Sequence, residues 1–455
     1  MKEKNAWQTS PKERVLYYSL SFGQIIFYTI AASYLQLFMT DIGISAATVG
    51  TIFLIARAWD AVNDPLFGVI VSKSRLKGGK YKPWLKLSPI LIFIFTVLLF
   101  GLSSGLSASV KTLLAATLYI CWGMSYTMCD IPYFSVISTI SDQVSERGGI
   151  LTRARLFTMV GAVLVTLTLP NLYPRWGWFA TVGLLAVIGL GCMLPFGFAV
   201  KERHFSFGKA PALKDIVMAV VKNKYLLALC TAVFIANVTN TTSTIASYFA
   251  IHCLGGSHMI SVITTIPLLS FVVIVAFVPA IIKRVDKYYI YLACFVTAFV
   301  ASLAIFFIGY SNIVLFVVLS CVRTSALTFI QTFIALYIVD CAEYGRFKTG
   351  EDITPVSVSL QTFTVKAIST MSASLGMFVL GIVGFVDGAG AVQPDIVTDT
   401  LFFLISIVPG IGVVIGFFIF LRNYKLRDNY VQVMAQVNNG EISREEGEKL
   451  LPPSL

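Results

Sequence analysis

The chain has 455 residues, of which 57% are hydrophobic and only 13% are charged, and its mean hydropathy is +0.82. A soluble protein of this length needs far more polar surface, so the composition excludes that class and predicts an integral membrane protein. The formal net charge of +11 does not indicate a nucleic-acid partner, because Lys and Arg gather in alternate loops, as the positive-inside rule describes.

Reading the sequence with a window of about 19 residues predicts an all-α protein with roughly twelve membrane-spanning helices. Their centres lie near Phe27, Trp59, Ile94, Tyr126, Leu164, Ala186, Asn237, Leu269, Phe295, Thr328, Ser372 and Val413. The first apolar segment is too long for a signal peptide and is expected to be retained. The basic loops place both termini in the cytoplasm of a protein that spans the cell membrane several times.

The longest polar interior segment, 201–224, divides the chain into two halves. We predict an N-terminal six-helix half (1–200), a cytoplasmic middle loop (201–224), a C-terminal six-helix half (225–421) and a cytoplasmic tail (422–455). Two similar halves around a central loop are typical of transporters built from repeats. The tail carries Ser443 and Glu446, the spacing of a helix capping box.

The second predicted span holds two acids, Asp60 and Asp64, four residues apart and therefore on one face of the helix. An ionised side chain at membrane depth costs at least ~3 kcal/mol on insertion scales, which indicates a functional use. Asn63 adds a neutral oxygen, and clustered oxygens suit a hard cation, so we predict a site for a coupling ion. The alternative is a structural ion pair with Arg57, one turn earlier, or with a more distant cation.

The fourth span places Thr127 and Asp130 three residues apart on one helix face. Thr127 is predicted to complete the oxygen ligands of the ion, although a threonine in a membrane helix more often bonds to its own backbone. Asp130 is predicted to accept hydrogen bonds from sugar hydroxyls, because an ionised carboxylate is a strong acceptor.

The second half contributes two cations near the middle of the membrane, Arg323 and Lys366. We predict that Lys366 faces the two acids of the second span and links the halves, whereas either cation can instead be a static counter-charge. The seventh span has a run of polar residues that includes Asn237 and Asn240. That run indicates either the lining of a wet cavity or hydrogen bonding between helices.

Four segments then carry a family resemblance, which extends over nearly all the predicted spans in matching order. They are FLIARAWDAVNDPLFGVIVSKSRLKGGKYKPW (53–84), WGMSYTMCDIP (122–132), VDCAEYGRFKTG (339–350) and SVSLQTFTVKA (357–367). Together they resemble the glycoside-pentoside-hexuronide:cation symporters, the melibiose permease group of the major facilitator superfamily. The resemblance implies the major facilitator fold, with twelve helices in two six-helix halves.

The resemblance also implies site residues. The family's Na⁺ site corresponds to Asp60, Asn63, Asp64 and Thr127. Lys366 stands at the coupling position, and we place Arg57 beside it in that role. The sugar site corresponds to Asp130 and Arg155.

Three departures from the family pattern concern the sugar site. Ile25 stands where the first span of the family usually has an acid, Phe134 replaces an expected tryptophan, and Gln331 replaces another aromatic residue. Losing one acid while Arg323 adds a positive charge makes the predicted cavity more positive. We therefore hypothesise an anionic sugar held by a bidentate guanidinium contact, with the alternative that Arg323 points at a neighbouring helix.

These observations predict a symporter for a glycoside, oligosaccharide, pentoside or hexuronide that works by alternating access, as a monomer and without a cofactor. Asn63 and Thr127 favour Na⁺ as the coupling ion, with H⁺ or Li⁺ as alternatives, because a proton needs only a carboxylate. A lipid or lysolipid transporter of the same fold and a non-transporting sugar sensor stay open. An enzyme is not expected, since no nucleophile and base occur together.

Overall fold

The structure is a computed structural model that describes residues 7–74, 78–141, 143–203, 223–282, 284–349, 354–388 and 390–452. Within these residues the chain is α-helical and contains no strand. Most of the predicted middle loop, 204–222, lies outside the described residues. The helical content confirms the predicted all-α fold class.

The first six helices follow one another with short connections. They are α1 (Pro11–Ser33), α2 (Leu35–Asp41), α3 (Ala46–Lys73), α4 (Lys82–Phe100), α5 (Ala108–Ile140) and α6 (Val144–Ala199). Helix α1 begins with a capping box in which Ser10 and Glu13 bond to each other's backbone N–H groups. Helix α6 is bent at Gly177, whose φ of 77° is one that glycine adopts without a Cβ clash. Its two arms correspond to the predicted fifth and sixth spans.

The remaining helices follow the predicted middle loop. They are α7 (Lys224–Val238), α8 (Thr242–Cys253), α9 (His258–Ile282), α10 (Lys287–Ile308), α11 (Ile313–Thr349), α12 (Thr354–Ile382), α13 (Asp395–Asn423), α14 (Asp428–Asn438) and α15 (Arg444–Leu450). The seventh predicted span is interrupted at its centre, between α7 and α8. Its polar run explains the break, because Asn and Thr side chains compete for backbone hydrogen bonds. The predicted capping box of Ser443 and Glu446 starts α15.

Six of the described helices are long and apolar enough to cross a membrane, by length and composition alone. One of them, Glu146–Ala199, has 54 residues, whereas a single crossing needs only about 20. With the shorter apolar helices, this set is consistent with the predicted twelve-helix fold.

The described chain forms two compact units. Unit 1 contains Met1–Gly208, Ala250–Ser261 and Met377–Val397, and unit 2 contains Lys209–Phe249, Val262–Gly376 and Thr398–Leu455. The division into halves at 201–224 stays a prediction.

Unit 1 is built around α1, which packs along α6, with α4 beside α5 and α6. Glycine permits the close contact of α1 with α6, because a Cβ at Gly23 would lie 2.5 Å from the carbonyl oxygen of Gly189. The segment 377–397 joins this unit through two hydrogen bonds. Ala46 N donates to Asp387 Oδ1 (3.1 Å), and Gly388 N donates to Thr40 O (3.0 Å).

Unit 2 packs α13 against α7 at glycine positions. A Cβ at Gly412 would lie 2.1 Å from Thr239 Oγ1, and one at Gly416 would lie 2.7 Å from the carbonyl oxygen of Ala232. Real Cβ atoms do not approach other atoms so closely, so these two positions exclude any larger residue unless the helices move apart.

Candidate cation and substrate site

Three of the predicted cation residues, Asp60, Asn63 and Asp64, lie on one face of α3 in unit 1. Arg57 Nη1 is 3.2 Å from Asp60 Oδ2, and about one fifth of each of these side chains is exposed. Asp60 therefore has a positive partner within its own helix, which is the alternative weighed from the sequence. Asp64, one turn further on, bonds to a different helix.

Helix α5 approaches α3 along the face that carries the acids. Thr127 Oγ1 donates a 2.7 Å hydrogen bond to Asp64 Oδ1. One turn earlier, a Cβ at Gly123 would lie 3.1 Å from Asp60 Oδ1, so the absence of a side chain lets Asp60 lie against α5. The four-residue steps on both helices match, because each advances its helix by about 6 Å. Two of the predicted cation ligands, Thr127 and Asp64, are thus in direct contact across the two helices.

Asn63 lies between the two acids in sequence and is buried, with 8% of its surface exposed. Its Nδ2 atom is buried and has no hydrogen-bond partner among the described residues, although an amide nitrogen normally donates. The O and N atoms of an asparagine are assigned by their surroundings, and a flip of the amide exchanges them. With the flipped amide, a carbonyl oxygen would occupy the unpartnered position, which suits a cation rather than a donor.

Sequence reasoning missed two residues of α5 that complete this face. Tyr119 lies near Arg57, and Gly123 makes room for Asp60. Both were recognisable, because they precede Thr127 by eight and four residues and so share its helix face. Groups of three or more His, Cys, Asp or Glu that could hold a metal are absent from the described residues, and the cation residues here include only two carboxylates.

The substrate side of unit 1 centres on Asp130 of α5. Gln24 Nε2 donates a 3.0 Å hydrogen bond to Asp130 Oδ1, and Gln24 is 5% exposed. Ile25, the departure from the family pattern, packs on α6, since a Cβ at Gly161 would lie 2.5 Å from its Cγ2 atom. Gln24 is not among the substrate residues predicted from the sequence, although it directly precedes Ile25, which stands in place of the family's acid.

Two further predicted substrate residues of unit 1 have accessible side chains. Phe134 is 55% exposed, and its ring lies 4.7 Å from that of Tyr133 in an edge-to-face contact. Arg155 is exposed in α6 and lies near Tyr133. Both side chains can therefore reach a ligand, but neither is shown to touch Asp130.

The predicted residues of unit 2 are more enclosed. Asn237 Nδ2 donates to Val233 O (3.0 Å) within its own helix, and Ser372 Oγ donates to Asn240 O (2.6 Å). This is the helix-bonding alternative for the polar run. Asn240 Oδ1 is buried and lacks a hydrogen-bond partner in the part of the chain that the structure describes. Gln331 is half-buried. Lys366 belongs to α12, but its side chain lies outside the described residues.

Arg323 contacts a neighbouring helix. It is 1% exposed, and its Nη1 atom donates to the carbonyl oxygens of Ile405 and Ser406 in α13. Pro409, four residues after Ile405, has no N–H to donate to that carbonyl. The enclosed guanidinium thus satisfies a carbonyl that the proline leaves unpaired. This is the neighbouring-helix alternative weighed from the sequence, and the substrate contact stays a hypothesis.

Comparison with known proteins shows which family the chain belongs to. The family model described as "MFS/sugar transport protein" matches residues 16–428. The chain belongs to this family. This membership confirms the resemblance predicted from the sequence, and it identifies the protein as an integral membrane transporter rather than an enzyme.

Individual relatives extend over most of the chain. The "Uncharacterized symporter YjmB" of Bacillus subtilis is 29% identical over 92% of this chain and 93% of its own length. The "Glucuronide carrier protein homolog" of Escherichia coli is 23% identical over 90% of this chain and 92% of its own length. The crystal structure of the nucleoside transporter NupG has a TM-score of 0.64 at 14% identity and covers 90% of this chain and 98% of its own, which shows the same fold.

Proposed function

We propose that this sugar-family transporter is a Na⁺-coupled symporter of a glycoside or hexuronide that works by alternating access. One observation carries the proposal: the Thr127 hydroxyl of α5 meets Asp64 of α3 at 2.7 Å. This contact joins a neutral oxygen to a membrane-embedded carboxylate whose helix carries a second one, Asp60. A hard monovalent cation is held by such a mixture of charged and neutral oxygens.

In the proposed mechanism the cation neutralises the paired carboxylates of α3. Two negative charges four residues apart repel each other in a low-dielectric site, and a bound cation removes that repulsion. Asp130, one turn beyond Thr127 on α5, then receives the sugar hydroxyls. Because the two sites share a helix, each ligand is expected to raise the affinity for the other by the same factor.

The substrate class is proposed from the accessible side chains of unit 1. Asp130 accepts hydrogen bonds, and exposed Arg155 offers a guanidinium that matches a carboxylate in bidentate geometry. One relative is a glucuronide carrier homolog. We therefore favour a hexuronide, with Arg155 rather than the enclosed Arg323 as the anion ligand.

The proposal is tested by uptake into proteoliposomes. Neutral glycosides, pentosides and glucuronides are offered under imposed Na⁺, Li⁺ or H⁺ gradients. We expect accumulation of glucuronides that depends on the Na⁺ gradient and is abolished by Asp60→Cys, whereas counterflow exchange persists. Asp399→Asn, a change at an exposed acid of α13, serves as the control and should transport normally. Equal uptake with and without any cation gradient, or none across the panel, would contradict the proposal and favour the sensor or lipid alternatives.

A further inference from the structure

Two turns at one end of unit 2 are bound to each other. One turn leads from α9 into α10, and the other leads from α13 into α14. Lys287 N donates to Asp428 Oδ2 (3.1 Å), and Asp428 N donates to Asp286 Oδ2 (3.1 Å). Each turn thus caps the other, which brings Arg284 of the first turn and Arg427 of the second to the same end of the unit.

The acids of these turns are already engaged. Asp286 Oδ1 also accepts the backbone N–H of Tyr288 (2.8 Å). Asp428 Oδ1 is 3.2 Å from Lys287 Nζ, which in turn contacts Asp340 at 2.6 Å. The negative charge nearest the two arginines is therefore held by backbone groups and by a lysine.

Arg427 rests on aromatic rings. Its guanidinium carbon lies 4.1 Å from the centre of the Tyr288 ring and 4.5 Å from that of Tyr289. A cation on a ring face is attracted by the ring, and the Asp286 carboxylate also attracts Arg427. Among the described residues, neither Arg427 nor the exposed Arg284 forms an ion pair. Both guanidinium groups can therefore bind an anion.

Further positive charge and exposed apolar surface surround the two arginines. Arg422 and Lys425, on the chain that leads out of α13, are exposed. Ile281, at the end of α9, is 42% exposed, and Tyr289, at the start of α10, is 53% exposed. These residues mark the end of membrane-spanning helices, where tyrosine is enriched and lipid phosphates lie.

We propose that Arg284 and Arg427 bind the phosphate of an anionic glycerophospholipid, whose acyl chains lie along the exposed apolar residues at the ends of α9 and α10. Cationic and apolar residues lie side by side here, which favours a lipid over a free anion. A lipid contacts Ile281 and Tyr289 with its acyl chains, whereas a free phosphate has no apolar part to contact them. Basic clusters at helix ends on one side of a membrane recognise anionic head groups through this combination. The inference concerns unit 2 alone and does not depend on the sugar or the coupling ion.

Native mass spectrometry of the detergent-solubilised protein, titrated with phosphatidylglycerol or phosphatidylcholine, tests the proposal. The wild type should retain phosphatidylglycerol in preference to phosphatidylcholine. Each cation at the membrane surface contributes roughly fivefold in affinity, so Arg284→Gln with Arg427→Gln should reduce phosphatidylglycerol retention by about 30-fold. The control combines Lys201→Gln with Lys449→Gln, two exposed lysines outside the cluster, and should change it by less than about twofold.

Each outcome decides the proposal. Equal losses in the test and control proteins would overturn it, because they would show a general effect of net charge. Displacement of the lipid by inorganic phosphate at equal concentration would also overturn it, since the site would then recognise the anion only. Arg284→Gln alone, in an exposed turn, keeps the test valid if the double variant fails to fold, and it should still lower retention about fivefold.

Discussion

Arg323 and Pro409, both in unit 2, should be energetically coupled. The guanidinium of Arg323 donates to the carbonyl of Ile405, which Pro409 leaves without its usual helical donor. Replacing the arginine by methionine removes this donor and keeps an unbranched chain of similar length. The carbonyl of Ile405, in a residue that is 2% exposed, would then be buried and unsatisfied.

An unsatisfied buried carbonyl costs about 1–3 kcal/mol. In a Pro409→Ala background the new alanine N–H can bond to Ile405, so the same Arg323→Met change should no longer carry that cost. The favourable effect of removing a buried charge is present in both backgrounds and cancels in the double-mutant cycle. We therefore expect a coupling free energy of about 1–3 kcal/mol between positions 323 and 409.

Thermal or denaturant unfolding of the purified variants in one detergent measures this coupling. The matched control pairs Arg323→Met with Pro89→Ala, a proline inside α4 of the other unit, and those effects should add within about 0.5 kcal/mol. Additivity at positions 323 and 409 would refute the assignment of Arg323 to the proline-freed carbonyl. Uptake that responds to Arg323→Met selectively for anionic sugars would instead restore the substrate contact hypothesised from the sequence.

Three further predictions concern other sites. Thr127→Val removes the hydroxyl on Asp64 and should weaken the apparent cation affinity by about tenfold or more, measured as the cation dependence of uptake; an unchanged dependence would exclude Thr127 as a ligand. Gly412→Ala should lower the unfolding temperature by several degrees because its Cβ meets the hydroxyl of Thr239, directly after α7, and the carbonyl oxygen of Ile235. Gly191→Ala, with open space around it, should not. Burial raises the pKa of Asp41 to about 6 against the lowering effect of a tryptophan hydrogen bond. The folded state therefore favours the protonated carboxyl of Asp41. This contribution to the free energy of unfolding is fully present below the unfolded pKa of 3.8 and is lost as pH rises through about 6. Asp41→Asn should therefore gain in unfolding temperature relative to the wild type between about pH 4 and about pH 7.5, and a constant difference would contradict this.

The helices and the family were predictable because their determinants are local. Apolar length defines a span, and the four-residue spacing of Asp60 and Asp64 places both on one helix face whatever the rest of the chain does. The contact between Thr127 and Asp64 needed one more piece of information, the pairing of α3 with α5. The family resemblance supplied it, and the 2.7 Å bond is consistent with it.

The direction of a buried side chain was harder to predict, because it depends on which helix lies opposite. Arg323 was recognised as a cation at membrane depth, but its partner is a carbonyl 82 residues away along the chain. Pro409 was visible in the sequence as a helix-breaking residue, and it marks a carbonyl that needs a donor. A search for prolines in other spans that free a carbonyl for a buried arginine would therefore have suggested the contact of Arg323 with Ile405. Apolar periodicity alone did not.

The two acids of α3 have different neighbours, and this difference bears on how a cation would enter. Asp60 already has the guanidinium of Arg57 at 3.2 Å, so a cation there must compete with a tethered charge. Asp64 accepts a hydrogen bond from the hydroxyl of Thr127. The same oxygen retains lone pairs, and a rotation about its C–O bond turns it from donor to cation ligand without moving the helix. In our proposal a cation at Asp64 can therefore use the Thr127 oxygen without a helix movement, whereas a cation at Asp60 competes with Arg57.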